Sequence, residues 1–303
     1  MLLSFLSPHL RSLAQRPFAT TGYLQVNHLP FVLSFLLQIT VTMSMGKIRM
    51  RVLLLASLFA FVTLFLLIPL RSDCALRYPT STKPLRVLFI GNSLTYSNEL
   101  PAIVEALAKA TGQRPLAYKT VAFPDFSLED HWNKRDALKA IMKGDWDYVV
   151  LQQGPSASKE GRALLLEYSR RFAQEIRKIG GRPALYMVWP SASRMHDFKG
   201  VSESYRQAAE DVDGLVFPVG EAWLCAWKTD PAIDLYSGDG FHPSAAGSYL
   251  AGLVIFEQLY KRSPLGLPAK LRLRSGAKLE VPADLAVLLQ QAAGEANKRF
   301  GRR

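Results

Sequence analysis

The sequence predicts an α/β protein. It reads as a three-layer sandwich on a central parallel sheet of about five strands, preceded by an N-terminal hydrophobic segment. Three observations carry this expectation. From residue 85 onward, short runs rich in Val, Leu, Ile and Phe alternate with stretches of helical periodicity. Gly, Pro and Asp separate most of them. Ahead of this region, nineteen residues without a charge, Val52 to Leu70, come directly after the basic cluster Lys47, Arg49 and Arg51.

Leu85–Ile90 is an apolar strand, and Leu100–Thr111 is a helix that stops at Gly112. Leu116–Phe123 is a second strand, Leu128–Met142 a helix and Asp147–Leu151 a third strand. Gly161–Ile179 is a long amphipathic helix ended by Gly180-Gly181. Pro183–Trp189 is a fourth strand, Val201–Val212 a helix and Leu215–Val219 a short fifth strand. Ser244–Tyr260 is a helix with Ser244 as its N-cap. Residues 263–281, rich in Pro, Gly and Lys, hold a candidate hairpin in Leu271–Val281, and Pro282–Phe300 forms a terminal amphipathic helix. The chain therefore divides into an upstream extension (1–42), a signal peptide or signal anchor (43–72), a polar, proline-punctuated linker (73–84), the α/β domain (85–262) and a C-terminal extension (263–303). The extension either packs on the domain or meets a partner.

A basic flank before an apolar run has the layout of a secretory signal or a signal anchor. Nineteen residues approach the ~20 that span a bilayer. Arg71-Ser72-Asp73-Cys74-Ala75 offers no clean small-residue cleavage site, which favours an uncleaved anchor. Positive charge before the run keeps the N-terminus cytoplasmic and exports the downstream chain. The expected location is extracytoplasmic: membrane-anchored, or secreted or periplasmic if the signal is cleaved. A start at Met43 or Met45 would place the basic flank immediately ahead of the run; a transit peptide or second membrane segment in 1–42 is the alternative.

Residues 1–72 hold six basic and no acidic residues, half of the net charge of +12. The remainder carries 31 basic against 25 acidic residues with no concentrated basic stripe, which argues against a nucleic-acid partner. Two cysteines, Cys74 and Cys225, make neither a disulfide framework nor a zinc site, and the five histidines show no metal-ligand spacing.

Chemistry concentrates in two segments. The first strand runs into Gly91-Asn92-Ser93-Leu94-Thr95, placing a serine where strand gives way to helix. Later comes Asp239-Gly240-Phe241-His242-Pro243, a carboxylate three residues before a histidine in a turn-rich stretch. Serine, histidine and aspartate supply a nucleophile, a base and the group that orients the base. Each has a plainer role: Ser93 as a helix N-cap, Asp239 as a turn residue, His242 as a helix cap. Their joint occurrence favours the catalytic roles. Asp125 comes after strand two, and Gln152 and Gln153 after strand three. With Ser93 after strand one, they fall on the carboxyl edge of the sheet, where ligands sit.

Gly91-Asn92-Ser93-Leu94 and Asp239-Gly240-Phe241-His242 resemble the first and last blocks of the SGNH/GDSL hydrolase superfamily, with Asn92 where Asp is usual. The resemblance covers roughly 85–260 and implies a flavodoxin-like fold, a catalytic triad of Ser93, Asp239 and His242, and no cofactor or metal. In the family's second block a Gly N–H helps bind the oxyanion; here Asp125 stands in that position. In the third block an Asn side chain is usual; Gln152-Gln153-Gly154 is similar to the Gln-Gly segment of carbohydrate acetylesterase branches. The implied oxyanion hole comprises the Ser93 N–H, a backbone N–H at Asp125 and the amide of Gln153 or Gln152.

The resemblance implies a serine ester hydrolase acting on a small-molecule or glycan ester, O-acetyl groups on carbohydrate first. The alternatives are acyl transfer to an extracytoplasmic glycan and non-catalytic glycan binding on the same fold. His131 is expected on a helix surface, His196 on a mobile loop, and Trp189, Trp223 and Trp227 in the core.

Overall fold

Apolar runs become buried parallel strands because such strands are covered on both faces. In the computed structural model, which describes residues 83–301, five runs do so: β1 (Leu85–Gly91), β2 (Leu116–Ala122), β3 (Tyr148–Leu151), β4 (Arg182–Met187) and β5 (Leu215–Pro218). All neighbours pair in parallel, in the order β2-β1-β3-β4-β5. This is the flavodoxin-like order, and the winding reverses between β1 and β3.

The helices are α1 (Ser93–Tyr96), α2 (Leu100–Ala110), α3 (Leu128–Lys134), α4 (Asp136–Lys143), α5 (Lys159–Lys178), α6 (Phe198–Asp211), α7 (Val219–Thr229), α8 (Ala245–Tyr260) and α9 (Ala283–Phe300). Helices α3 to α6 pack with one another, and α2, α7, α8 and α9 form a second packed group. The core between these layers contains Phe89, Phe172, Phe217, Tyr186 and Phe256, all fully buried.

Two departures from the sequence expectation have local causes. The helix expected over Leu128–Met142 is two, because Arg135 takes φ 70, a left-handed conformation that ends α3. The stretch Val219–Thr229 is a helix, entered directly from Pro218; its buried Trp223 stacks on Trp189 with ring centroids 3.8 Å apart. Trp227 contacts the same cluster.

The hairpin forms as β6 (Lys270–Arg272) and β7 (Lys278–Glu280), antiparallel with Leu271 opposite Leu279. Segment 263–301 packs on the domain. Helix α9 buries Leu289, Ala293 and Ala296 against α7 and α8. Buried amides add Gln258 Nε2 to Asn297 Oδ1 at 3.0 Å and Gln290 Nε2 to Tyr249 Oη at 3.1 Å. Helix α8 is buried nearly all round, so it requires this cover.

The extension 1–42 and the hydrophobic run Val52–Leu70 lie outside the described residues. No helix among the described residues is long and apolar enough to cross a membrane.

Candidate active site

Strand β1 ends at Gly91, and the chain turns into α1 with Asn92 as the N-cap. Asn92 Oδ1 accepts from the Leu94 N–H at 3.1 Å. Ser93 is therefore the first helical residue, and the capping role falls to its neighbour. The first N–H groups of a helix have no intrahelical acceptor, so the Ser93 N–H stays free for another partner. A side chain at position 91 is excluded: a Cβ there would lie 2.3 Å from both Gln152 Oε1 and Thr95 Oγ1.

The three expected triad residues meet. His242 Nδ1 is 2.6 Å from Asp239 Oδ2, and His242 Nε2 is 2.9 Å from Ser93 Oγ. A carboxylate only accepts, so Nδ1 carries the imidazole proton and Nε2 is left to accept from the Ser93 hydroxyl. Asp239 is locked by further donors: its Oδ1 accepts from Ser237 Oγ at 2.8 Å and from the Phe241 and His242 N–H groups, each at 2.9 Å. The His242 hydrogen bond first, then these, hold its carboxyl well below the usual carboxylate range.

The turn carrying this pair is anchored widely. Gly240 takes φ 67 at its apex. Trp189 Nε1 donates to the Phe241 carbonyl at 2.9 Å, the Ala192 N–H to the Gly240 carbonyl at 2.8 Å, and the Ser237 N–H to the His242 carbonyl at 2.7 Å.

Ser93 opens into a cleft of about 530 Å³ also lined by Asn92, Asp125, Phe126, Gln153, Gly154 and Phe241. Hydroxyls of Ser127, Ser156, Ser158 and Ser191 and the apolar faces of Pro155 and Pro190 complete much of the wall. Arg194 reaches it as an ion pair, Nε to Asp197 Oδ2 at 2.6 Å. Asp125 takes φ 59, a conformation that suits glycine and costs other residues about 1 kcal/mol. That is the backbone requirement a Gly would meet in this place.

The two glutamines do something other than expected. Gln152 is buried beneath the turn that presents Ser93. Its Oε1 accepts from the Asn92 N–H at 2.8 Å and from Thr95 Oγ1 at 2.6 Å, and its Nε2 donates to Asn92 Oδ1 at 2.9 Å and to the Gln153 carbonyl at 2.7 Å. Gln153 does line the cleft, but its Nε2 donates to Ser156 Oγ at 2.9 Å and to the Gly161 carbonyl at 3.2 Å, while its Oε1 accepts from the Leu128 N–H at 3.2 Å. Both amide hydrogens of each side chain are thus committed to the protein. In this arrangement neither Gln152 nor Gln153 has an amide hydrogen turned to an oxyanion; they shape the turn and the cleft wall.

His131 is also displaced from expectation, being only 1% exposed. Its Nε2 donates to the Gly91 carbonyl at 2.7 Å, and its ring packs against Phe123 and Phe126. Nδ1 is buried with no hydrogen-bond partner among the described residues. Burial pushes its pKa below the ordinary histidine value. His196 is exposed on a short 3₁₀ helix, Ala192–Asp197. Sequence inspection missed Thr95 and the structural use of Gln152; the polar residues flanking the Gly-Asn-Ser turn were the available signal.

No protein-family profile and no curated protein matches the chain. Solved structures do. A DUF4886 family protein from Bacteroides uniformis superimposes with TM-score 0.58 at 19% identity, covering 72% of this chain and 96% of that one. A candidate SGNH hydrolase from Slackia heliotrinireducens gives TM-score 0.49 at 26% identity, covering 58% and 98%. An acetyl xylan esterase gives TM-score 0.49 at 14% identity, covering 57% and 98%. At 19% identity, the superposition on the DUF4886 family protein shows that the two chains share a fold.

Proposed function

We propose that this protein is a serine ester hydrolase that removes acyl groups, O-acetyl first, from a carbohydrate or a small alcohol. The observation that carries the reading is the continuous relay Asp239 Oδ2–His242–Ser93 Oγ, with spacings of 2.6 and 2.9 Å, at the edge of a cleft. Ser93 Oγ attacks the ester carbonyl while His242 Nε2 takes its proton. The tetrahedral intermediate collapses, and His242 returns that proton to the departing alcohol oxygen. Water then enters, gives a proton to His242, attacks the acyl-enzyme and releases the acid; the proton goes back to Ser93 Oγ. Asp239, kept ionised by its donors, fixes the tautomer and stabilises the imidazolium.

The Ser93 N–H and a backbone N–H at Asp125 receive the oxyanion. The Ser158 and Ser191 hydroxyls on the cleft wall support a polyol leaving group, which hydrogen-bonds to such a wall; those of Ser127 and Ser156 already donate to Asp130 and to the Gly154 carbonyl. Export through the segment ending at Leu70 would bring the enzyme to extracytoplasmic glycans. The test is hydrolysis of p-nitrophenyl acetate by the full chain beside its Ser93→Ala variant. Turnover should fall at least about 10³-fold in the variant. Equal turnover in both would remove Ser93 from the reaction. Glycan binding with no turnover of any ester would favour the binding protein, and transfer of acetyl to an added glycan would favour the transferase.

A further inference from the structure

Beyond Ser93, between α1 and α2, the chain does something unusual. Asn98 and Glu99 take consecutive left-handed conformations, φ 50 and φ 53. L-residues seldom adopt this region, and asparagine tolerates it better than most. The bend turns the Asn98 side chain onto the start of α8. Its Nδ2 lies 3.0 Å from the Pro243 carbonyl, 3.2 Å from the Ser244 carbonyl and 2.8 Å from Ser248 Oγ. Pro243 adjoins His242 in the chain. One amide therefore ties the segment that bears the serine to the segment that bears the histidine, across 145 to 150 residues of chain.

The other anchors of the histidine turn lead elsewhere. Trp189 and Ala192 hold it to the chain just beyond β4, and Ser237 holds it to the residues that precede it. They relate the turn to Ser93 only through β4 and the sheet, whereas Asn98 links the two segments directly. The bend itself is braced from outside: Glu99 Oε1 accepts from Ser275 Oγ at 2.7 Å, and Arg274 pairs with Glu105 in α2 at 2.8 Å. Both braces come from the turn of the β6–β7 hairpin.

We infer that Asn98 is a positioning residue for the serine–histidine pair. By holding the Pro243 carbonyl it keeps His242 Nε2 within hydrogen-bonding reach of Ser93 Oγ. The inference rests on Ser93 and His242 acting as nucleophile and base. Proton transfer between them is steeply sensitive to their separation, whereas the cleft wall that binds substrate is built from other residues. The side chain at 98 must both accept the left-handed backbone and donate to carbonyls, which asparagine does and aspartate cannot.

Two variants of the full chain separate these requirements. Asn98→Gly keeps the left-handed backbone and removes the donor; Asn98→Asp keeps the size and removes the donor. Each is compared with wild type for kcat and KM on p-nitrophenyl acetate, for the rate at which a fluorophosphonate labels Ser93, and for Tm. Both variants should lose roughly 10- to 100-fold in kcat and in labelling rate, with KM within about twofold. A merely structural amide would lower Tm and leave kcat unchanged well below the melt, and that result overturns the inference. A loss carried by KM alone also overturns it. If Asn98→Gly does not fold, Asn98→Asp decides by the same comparison. Wild type inert towards both ester and label would sink the hydrolase reading and this inference together; active wild type with active variants would sink this inference alone.

Discussion

Gln152 and Asn92 clasp each other beneath the turn that carries Ser93. The Asn92 N–H donates to Gln152 Oε1 at 2.8 Å, and Gln152 Nε2 donates back to Asn92 Oδ1 at 2.9 Å. Thr95 closes the same knot from the other end of α1. The turn that presents Ser93 is thus held from β3, the strand beside it at the switch point.

Removing that clasp should cost both stability and rate. Gln152→Leu leaves the Asn92 N–H and the Thr95 hydroxyl without their acceptor in a buried site, while the Gln153 carbonyl keeps Tyr205 Oη at 2.6 Å. Urea denaturation should show a loss of about 3 kcal/mol. Turnover should fall roughly 10²-fold as the serine loses its orientation. A variant as stable and as fast as wild type would show that the clasp is dispensable.

Gln153 tests the revised oxyanion assignment. Loss of a true oxyanion donor lowers kcat about 10²- to 10³-fold. Because both amide hydrogens of Gln153 serve Ser156 and Gly161, Gln153→Ala should change kcat less than about tenfold, with a stability loss of about 1–3 kcal/mol from the stranded Leu128 N–H and its neighbours. A drop in kcat beyond 10²-fold with unchanged Tm would return the residue to the oxyanion hole.

Asp239→Asn should preserve the turn and reverse the chemistry. An asparagine amide facing Nδ1 favours the tautomer with the proton on Nε2, which cannot accept from Ser93. The expected loss in kcat is about 10⁴-fold with little change in KM. Steady-state kinetics on the folded variant would decide; activity within tenfold of wild type would show that Asp239 does not orient His242.

His131 should make the fold acid-sensitive. Its folded pKa is depressed by burial, so the unfolded chain takes the proton first as pH falls. The stability that neutral His131 contributes is complete above the unfolded value of about 6.5 and is lost as pH falls towards the folded value. Thermal melts at about pH 8 and pH 5 should therefore drop further for wild type than for His131→Gln, which keeps a donor but does not titrate. Parallel drops would show that His131 is not responsible.

The five strands were legible in the sequence because a parallel strand covered on both faces must be apolar along its length, whatever packs against it. The meeting of Ser93, His242 and Asp239 was legible for a similar reason. Asp239 and His242 need only a local turn with Gly240 at its apex to meet, and a serine directly after β1 belongs on the carboxyl edge of the sheet.

Tertiary structure alone assigned the polar residues around them. Gln152 and Gln153 are adjacent and chemically identical, yet one knots the nucleophile turn and the other braces the cleft wall, because β3 aims them at different neighbours. His131, Asn98 and the C-terminal helix likewise take their roles from partners 39 to 150 residues away. Hydrogen-bond donors choose among acceptors by distance and burial, and those distances exist only after the layers have packed.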